Sequence, residues 1–191
     1  MNLSLKFYFD HAKKLSFEHK EIVRDFGYFL NAIGIARTAI ALKDDLEISE
    51  QQLVSVDNFF TSYVKGIPLD YILNESSFLD FTFYVDSRVL IPRPETELIV
   101  EKVIDFALNK NANVLDVGTG SGCISISLAM LRPDLKILAS DISLDALDVA
   151  TINLQNYQVK NVLLIQSNWL SYAKTESVDL VISNPPYLKP D

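Results

Sequence analysis

A glycine-rich segment between two apolar runs has the residue types of a cofactor-binding loop. It reads Leu-Asp-Val-Gly-Thr-Gly-Ser-Gly-Cys over residues 115–123. Alternate glycines let the backbone turn sharply and let a ligand approach without meeting a Cβ atom. A nicotinamide or flavin loop requires Gly-x-Gly-x-x-Gly/Ala, and counting from Gly118 puts Cys123 at the third small position. The pattern present instead, from Asp116 to Gly122, is Asp-x-Gly-x-Gly-x-Gly.

This version of the loop resembles the first motif of S-adenosylmethionine-dependent methyltransferases. Their cofactor carries no pyrophosphate for a helix N-terminus to hold, so its amino-acid part must lie against the loop. The resemblance implies that the cofactor contacts the five loop residues Gly118, Thr119, Gly120, Ser121 and Gly122.

Asp141 closes the next apolar run, Leu-Lys-Ile-Leu-Ala-Ser-Asp. An acidic side chain about 20 residues after the glycines can accept hydrogen bonds from both ribose hydroxyls of an adenosine. The alternative is an aspartate that caps the helix predicted to follow. Together with the glycine loop, the position favours the ribose role.

The segment Asn184-Pro185-Pro186-Tyr187 ends another apolar run. A neutral, planar nitrogen, as in an amide or an aromatic amine, is a poor nucleophile because its lone pair is delocalised. The Asn184 side-chain oxygen and the Pro185 carbonyl could accept its two N–H groups, while the prolines fix the backbone and Tyr187 excludes water. The alternative is a proline turn that leaves an edge strand, with Tyr187 as packing. The glycine loop favours the catalytic interpretation.

Strand-like and helix-like runs alternate from residue 112 onward. The strand-like runs span 112–118, 135–141, 161–167 and 178–184, and the helix-like runs span 123–134 and 144–158. This alternation predicts an α/β fold with a parallel, Rossmann-like sheet and right-handed crossovers. Asn184 then ends the fourth strand at the carboxyl edge of the sheet, where ligands of open α/β folds bind.

The first part of the chain has helical periodicity instead. Residues 1–66 predict a small helical bundle, and the clearest helix begins at Ser49, with Gln52 completing a capping box, and stops at Gly66. Residues 67–91 predict a β-hairpin linker with its turn at Asp86-Ser87. A further helix begins at Pro94, which suits a first helical turn. We therefore expect three parts, at 1–66, 67–91 and 92–191.

The segment Val-Leu-Ile-Pro-Arg-Pro-Glu-Thr-Glu-Leu-Ile-Val-Glu over 89–101, preceded by Gly-Ile-Pro-Leu-Asp-Tyr-Ile over 66–72, resembles the HemK family of release-factor glutamine methyltransferases. Members of that family have a helical N-terminal domain, a hairpin linker, this segment, the glycine loop and Asn-Pro-Pro-Tyr in the same order. The resemblance covers essentially the whole chain. It implies that the acceptor is the glutamine of the Gly-Gly-Gln tripeptide of bacterial peptide-chain release factors, and that the helical domain docks that protein.

The same resemblance implies roles for individual residues. The loop glycines and Asp141 would hold S-adenosylmethionine, Trp169 would lie against the adenine ring, and Asn184 would contact cofactor and substrate. Core packing is the alternative for Trp169. The substrate glutamine would be gripped by Asn184, Pro185, Pro186 and Tyr187. Many relatives have Asp where this chain has Asn168, so we assign Asn168 no role.

The charge balance separates this interpretation from its main rival. Enzymes that methylate adenine N6 in nucleic acids share Asn-Pro-Pro-Tyr, but a formal net charge of −8 does not favour binding along phosphates. The Ile-Pro-Arg-Pro segment and the helical front domain oppose it further. A third alternative is a non-catalytic protein that only docks release factors.

Other polar residues carry less information. Arg93 could bind the acceptor or the cofactor carboxylate, or pair with Glu95, Glu97 or Asp116. Cys123 predicts a small buried residue, and a single cysteine without an internal disulfide fits the cytoplasm. The histidines have no ligand-like spacing, so we predict no metal site, and no apolar run is long enough to span a membrane.

The chain ends three residues after Leu188, whereas HemK relatives continue with further strands. We therefore expect an incomplete sheet whose fourth strand is an exposed edge, and weak or absent activity of this piece alone.

Overall fold

The computed structural model describes residues 5–35, 48–106, 108–168 and 178–185. The chain divides into two compact units, Met1–Leu73 and Asn74–Asp191. The predicted boundaries at 66/67 and 91/92 stay predictions.

The first unit is helical. Its described helices are α1 (Leu5–Leu15), α2 (Ile22–Ala32), α3 (Glu50–Val64) and the short α4 (Leu69–Leu73). Their apolar faces meet in an aromatic core in which Phe26 and Phe59 are fully buried. The predicted capping box is confirmed, since Ser49 and Gln52 exchange side-chain and backbone hydrogen bonds at the start of α3. Helix α4 was not predicted, because five residues are too few to show helical periodicity.

The second unit opens with an antiparallel hairpin of β1 (Glu75–Phe78) and β2 (Phe81–Tyr84). The prediction of its turn at Asp86-Ser87 is wrong, because the strands are joined by Leu79 and Asp80. Leu79 takes a positive φ of 52°, and its amide donates to Glu97 Oε1 at 2.8 Å. That distant carboxylate helps hold a turn that the local sequence does not favour.

A parallel sheet carries the rest of the unit. Its strands are β3 (Asn113–Val117), β4 (Lys136–Asp141), β5 (Val162–Gln166) and β6 (Leu180–Ser183). The described strands lie in the order β5-β4-β3-β6, all parallel, which confirms the predicted α/β sheet. The chain leaves β3 toward β4 and returns to its other side with β6. The carboxyl ends of β3 and β6 therefore flank the topological switch point, where ligands of such sheets bind.

The remaining helices are α5 (Pro94–Asp105), α6 (Cys123–Leu131) and α7 (Leu144–Tyr157). Pro94 occupies the first turn of α5 as predicted. Helix α6 is buried over most of its surface, between α5, α7 and the sheet. None of the described helices has the length and apolarity that crossing a membrane demands.

Two side chains of α7 attach the hairpin to this unit. Asn153, fully buried, accepts from the Tyr84 amide and donates to the Tyr84 carbonyl. One helical turn on, the Tyr157 hydroxyl accepts from the Thr82 amide and donates to the Thr82 carbonyl. Residues 82 and 84 lie on the same side of β2, so α7 satisfies this strand edge much as another strand would.

Candidate functional site

A cavity of about 330 Å³ lies at the carboxyl ends of all four parallel strands. That volume is within the range of small-molecule sites. Its lining comes from the segment before α5 and from the loop after each strand. The lining residues are Arg88, Val89, Leu90, Val117, Gly118, Gly120, Asp141, Ile142, Ser143, Ala146, Ser167, Asn168, Ser183, Asn184 and Pro185.

The amides of the glycine loop are largely engaged within the protein. The Gly118 and Thr119 amides both donate to the Ser140 carbonyl, at 2.8 and 2.9 Å. The Gly120 amide donates to Asp141 Oδ2 at 2.9 Å, and the Gly122 amide donates to the Thr119 carbonyl. A pyrophosphate needs a row of free amides at a helix N-terminus. Because four amides of this loop are already bonded within the protein, the loop offers a ligand open space beside its glycines and not a row of free N–H donors.

The three loop glycines differ in their surroundings. All have positive φ, but a Cβ on Gly118 or Gly120 would meet no atom within 4 Å, and both residues line the cavity. A Cβ on Gly122 would lie 3.0 Å from Ile126 Cδ1 and 3.4 Å from Ala150 Cβ. Gly122 is therefore needed for packing of α6 against α7, while Gly118 and Gly120 keep the cavity open.

Asp141 is held in place by two backbone amides. Its Oδ2 accepts from Gly120 and its Oδ1 from Ser143 at 3.0 Å. The N-cap of α7 is Ser143, whose hydroxyl accepts from the Ala146 amide, so the alternative of Asp141 as the helix cap is wrong. A carboxylate oxygen has about two lone-pair sites, so each Asp141 oxygen has one acceptor site left.

Asn184 directly follows β6 and lines the same cavity, and its carboxamide contacts a residue of α5. Its Nδ2 donates to Thr96 Oγ1 at 2.9 Å. No described residue donates to its Oδ1, which is thus available as an acceptor. Pro185 follows it on the cavity wall.

Two other loop residues, Thr119 and Ser121, do not line the cavity. The Thr119 hydroxyl donates to Asp116 Oδ2 at 2.7 Å, and the Ser125 hydroxyl donates to the same oxygen at 2.6 Å. Asp116 is fully buried and its Oδ1 has no partner among the described residues; burial raises the pKa of this carboxyl. The Ser121 carbonyl accepts from Asn153. For Thr119, Ser121 and Gly122, cofactor contact stays a prediction, and each has a structural role.

Arg88 is the arginine that lines the cavity. It forms a bidentate pair with Asp86, with 2.6 Å between Nη2 and Oδ2. Arg93 is exposed at the N-terminus of α5 and forms no ion pair with the described residues Glu95, Glu97 or Asp116. Arg93 was a candidate because it belongs to the Ile-Pro-Arg-Pro segment, whereas no sequence pattern indicated Arg88.

Cys123 is buried at the start of α6, and burial raises the pKa of its thiol to about 12. It is therefore a poor nucleophile at neutral pH, in line with the packing role predicted for it.

Three predicted site residues, Trp169, Pro186 and Tyr187, lie outside the described residues. Conversely, two cavity residues were not predicted from the sequence: Ile142, 64% exposed, which follows Asp141, and Ser167, which follows β5. Asn168, which was assigned no role, also lines the cavity. The rule that ligands bind at the carboxyl ends of parallel strands would have found them.

Known proteins with similar sequences include methyltransferases of bacteria. A release factor glutamine methyltransferase of Buchnera aphidicola is 37% identical over 80% of this chain and 55% of its own length. One of Flavobacterium psychrophilum is 37% identical over 91% of this chain and 62% of its own length. The chain thus spans little more than half of these relatives. A solved structure of the tRNA (uracil-54, C5)-methyltransferase of Pyrococcus abyssi with S-adenosyl-L-homocysteine matches 59% of this chain and 28% of that chain, at 18% identity and a TM-score of 0.48.

The sequence profile described as "methyltransferase small domain" matches residues 94–190, more than half of the 191-residue chain. That range contains the glycine loop, Asp141 and Asn184. The chain belongs to the methyltransferase small domain family.

Proposed function

We propose that this protein transfers a methyl group from S-adenosylmethionine to the side-chain amide nitrogen of a glutamine. The observation that carries the proposal is that Gly118, Gly120, Asp141 and Asn184 line one cavity. A cofactor-binding half and an acceptor-binding half therefore face the same space. An adenosine-binding protein without transfer chemistry would have no need of the second half.

The residues present fit this cofactor. Two glycines leave room for its amino-acid part, and the Asp141 carboxylate, fixed by two amides, has one acceptor site per oxygen for a pair of ribose hydroxyls. The exposed Ile142 side chain provides an apolar surface for a flat base. When bound, the cofactor supplies an electrophilic methyl group on a positively charged sulfur. Trp169 stays a predicted adenine neighbour.

The acceptor half suits an amide. Asn184 Oδ1 and the Pro185 carbonyl would accept the two N–H groups of a carboxamide, which orients its nitrogen toward the methyl group. Both are acceptors, so they also stabilise the positive charge that develops on the nitrogen. No general base is needed for this alignment: transfer would leave the sulfur as a neutral thioether, and the positively charged nitrogen would lose one of its N–H protons to water. Among the described residues no group of His, Cys, Asp and Glu could hold a metal ion. Pro186 and Tyr187 would complete the grip.

The acceptor protein is inferred from relatives. Proteins named release factor glutamine methyltransferase match this chain at 33–40% identity. We propose the glutamine of the Gly-Gly-Gln tripeptide of release factors as the acceptor, which places the reaction in the cytoplasm, where translation terminates. The net charge of −8 favours a protein acceptor over a nucleic acid.

The test is a transfer assay with labelled S-adenosylmethionine and three acceptors. These are a release factor, the same factor with Gly-Gly-Gln changed to Gly-Gly-Ala, and a DNA duplex containing adenine. We expect label in the first only, at a low rate for this chain alone, and at least about 100-fold less label with the Asn184→Ala variant. Label in the DNA would establish the rival acceptor. Binding of the release factor without transfer, under conditions where calorimetry shows bound cofactor, would establish a docking protein instead.

A further inference from the structure

Thr96 lies behind Asn184. It is the third residue of α5 and only 5% exposed, and its hydroxyl oxygen accepts from Asn184 Nδ2 at 2.9 Å across 88 positions of sequence. Thr96 is not part of the cavity wall. It therefore cannot act on a ligand there directly.

We infer that Thr96 is a positioning residue that decides which atom of Asn184 faces the acceptor. This inference rests on the proposed function. A carboxamide has nearly the same shape after a half-turn about its last torsion, and that torsion has two broad wells. One orientation presents oxygen to the acceptor and the other presents the amino group. The amide acceptor needs oxygen, because its own N–H groups are donors.

A hydroxyl can accept from the amino group or donate to the oxygen. In the structure the Thr96 oxygen accepts from Asn184 Nδ2, which holds the carboxamide in the productive orientation. With Nδ2 bonded to Thr96, Asn184 is held by one end and its Oδ1 is left without a described donor. In the reverse orientation, the amino group of Asn184 would face the N–H groups of the acceptor amide, and no hydrogen bond could form between two donors. Valine has the same shape as threonine but no hydroxyl, so Thr96→Val would leave the amino group without its partner and free the torsion.

The chemistry also limits the class of acceptor. An oxygen fixed at this position selects a group that donates N–H, such as a primary amide. It gives no help to a carboxylate, which has only acceptors to offer. Thr96 thus contributes to specificity without touching the substrate.

The experiment compares Thr96→Val with Thr96→Ser, which keeps the hydroxyl. We expect Thr96→Val to lower kcat for release-factor methylation about 10- to 100-fold, the usual effect of losing one hydrogen bond in a site. Cofactor affinity by calorimetry should stay within about 2-fold, because Thr96 is off the cavity, and Thr96→Ser should retain kcat within about 3-fold. In the Asn184→Ala background, Thr96→Val should have no further effect, since it acts through Asn184.

Three results would overturn the inference: full kcat in Thr96→Val, an equal loss in Thr96→Ser, or multiplying losses in the double variant. If the wild-type protein methylates no glutamine, the proposed function fails and a second readout decides the contact. The side-chain NH₂ resonances of Asn184, assigned by their loss in Asn184→Ala, should exchange with solvent about 10-fold faster in Thr96→Val. Unchanged exchange would show that Thr96 does not hold the carboxamide.

Discussion

The Asn184 amino group and the Thr96 hydroxyl oxygen lie 2.9 Å apart and join the end of β6 to the first turn of α5. The segment that contains Thr96 is the Ile-Pro-Arg-Pro-Glu-Thr-Glu stretch, the most distinctive feature of the sequence. Through Thr96, this stretch supports Asn184, the residue proposed to bind the acceptor.

Replacing Asn184 by alanine should remove acceptor turnover and leave the cofactor half largely intact. We expect kcat to fall about 100- to 1,000-fold, as when one preorganised hydrogen-bonding group is removed from an active site. Cofactor affinity should change by less than about 10-fold. Asn109→Ala, an exposed asparagine of the same unit that does not line the cavity, is the control and should behave as wild type. Parallel losses of affinity and kcat in Asn184→Ala would assign it to the cofactor alone.

Asp141 should be needed for cofactor affinity. Asp141→Ala removes the proposed acceptors of the ribose hydroxyls and the support of the Gly120 amide, so the dissociation constant from calorimetry should rise about 10- to 100-fold. Asp145→Ala removes an exposed carboxylate in the first turn of α7, off the cavity, and should leave the constant unchanged. Equal effects of the two variants would indicate that only the general negative charge matters.

Much of the second unit was predictable because its patterns are local. Each parallel strand is a short apolar run and each helix has a clear start or stop, so the sheet and the edge that holds the site follow from the sequence. The glycine loop, Asp141 and Asn184 all fall at strand ends. Their convergence on one cavity is a consequence of the parallel arrangement.

The remaining features depend on long-range contacts. The hairpin turn lies at Leu79 and Asp80, where the distant Glu97 accepts from the Leu79 amide, a contact that the neighbouring residues do not indicate. Thr119 carries the loop motif, yet its hydroxyl binds the buried Asp116. A motif gives the spacing of residues but not the direction of each side chain. Asn153 could have been suspected, since a polar residue on the buried face of a helix requires partners.

Alanine substitutions at two loop glycines should affect protein stability and cofactor binding to different degrees. Gly122→Ala combines a strained positive φ with contact at 3.0 Å to Ile126, and we expect it to lower the free energy of unfolding by about 2–4 kcal/mol. Gly118→Ala has the strained positive φ but no close contact, so it should lower the free energy of unfolding by only about 1–2 kcal/mol. It should also weaken cofactor binding. Urea unfolding and calorimetry of both variants test this. An equal loss of stability would mean that the packing of α6 on α7 adjusts to the extra methyl.

The attachment of the hairpin should depend on Asn153 more than on Tyr157. Asn153 is fully buried and bonds to Tyr84 and to the Ser121 carbonyl, so Asn153→Ala leaves buried groups unpaired and should cost about 2–4 kcal/mol. Tyr157→Phe removes bonds to Thr82 that water can replace, and should cost about 1 kcal/mol or less. Hydrogen exchange of the Tyr84 and Thr82 amides reports each contact separately. If Asn153→Ala by itself also speeds exchange of the Thr82 amide, the Asn153 and Tyr157 contacts act as one unit.

The Asp86–Arg88 pair should make stability depend on pH in the acid range. Hydrogen bonds from the Arg88 guanidinium lower the pKa of the Asp86 carboxyl to about 2, below the value near 3.9 of an unfolded chain. A lowered folded-state pKa stabilises the protein above the unfolded value, and that contribution is lost as pH falls from about 4 to 2. Because the pair is partly exposed, we expect it to contribute about 1 kcal/mol to the free energy of unfolding.

The difference in the free energy of unfolding by urea between wild type and Asp86→Asn should therefore be constant from pH 5 to 7 and shrink toward pH 3. The control, Asp80→Asn in the exposed hairpin turn, should have the same pH dependence as wild type. A difference that persists unchanged at pH 3 would assign the effect of Asp86 to hydrogen-bond geometry rather than to its charge.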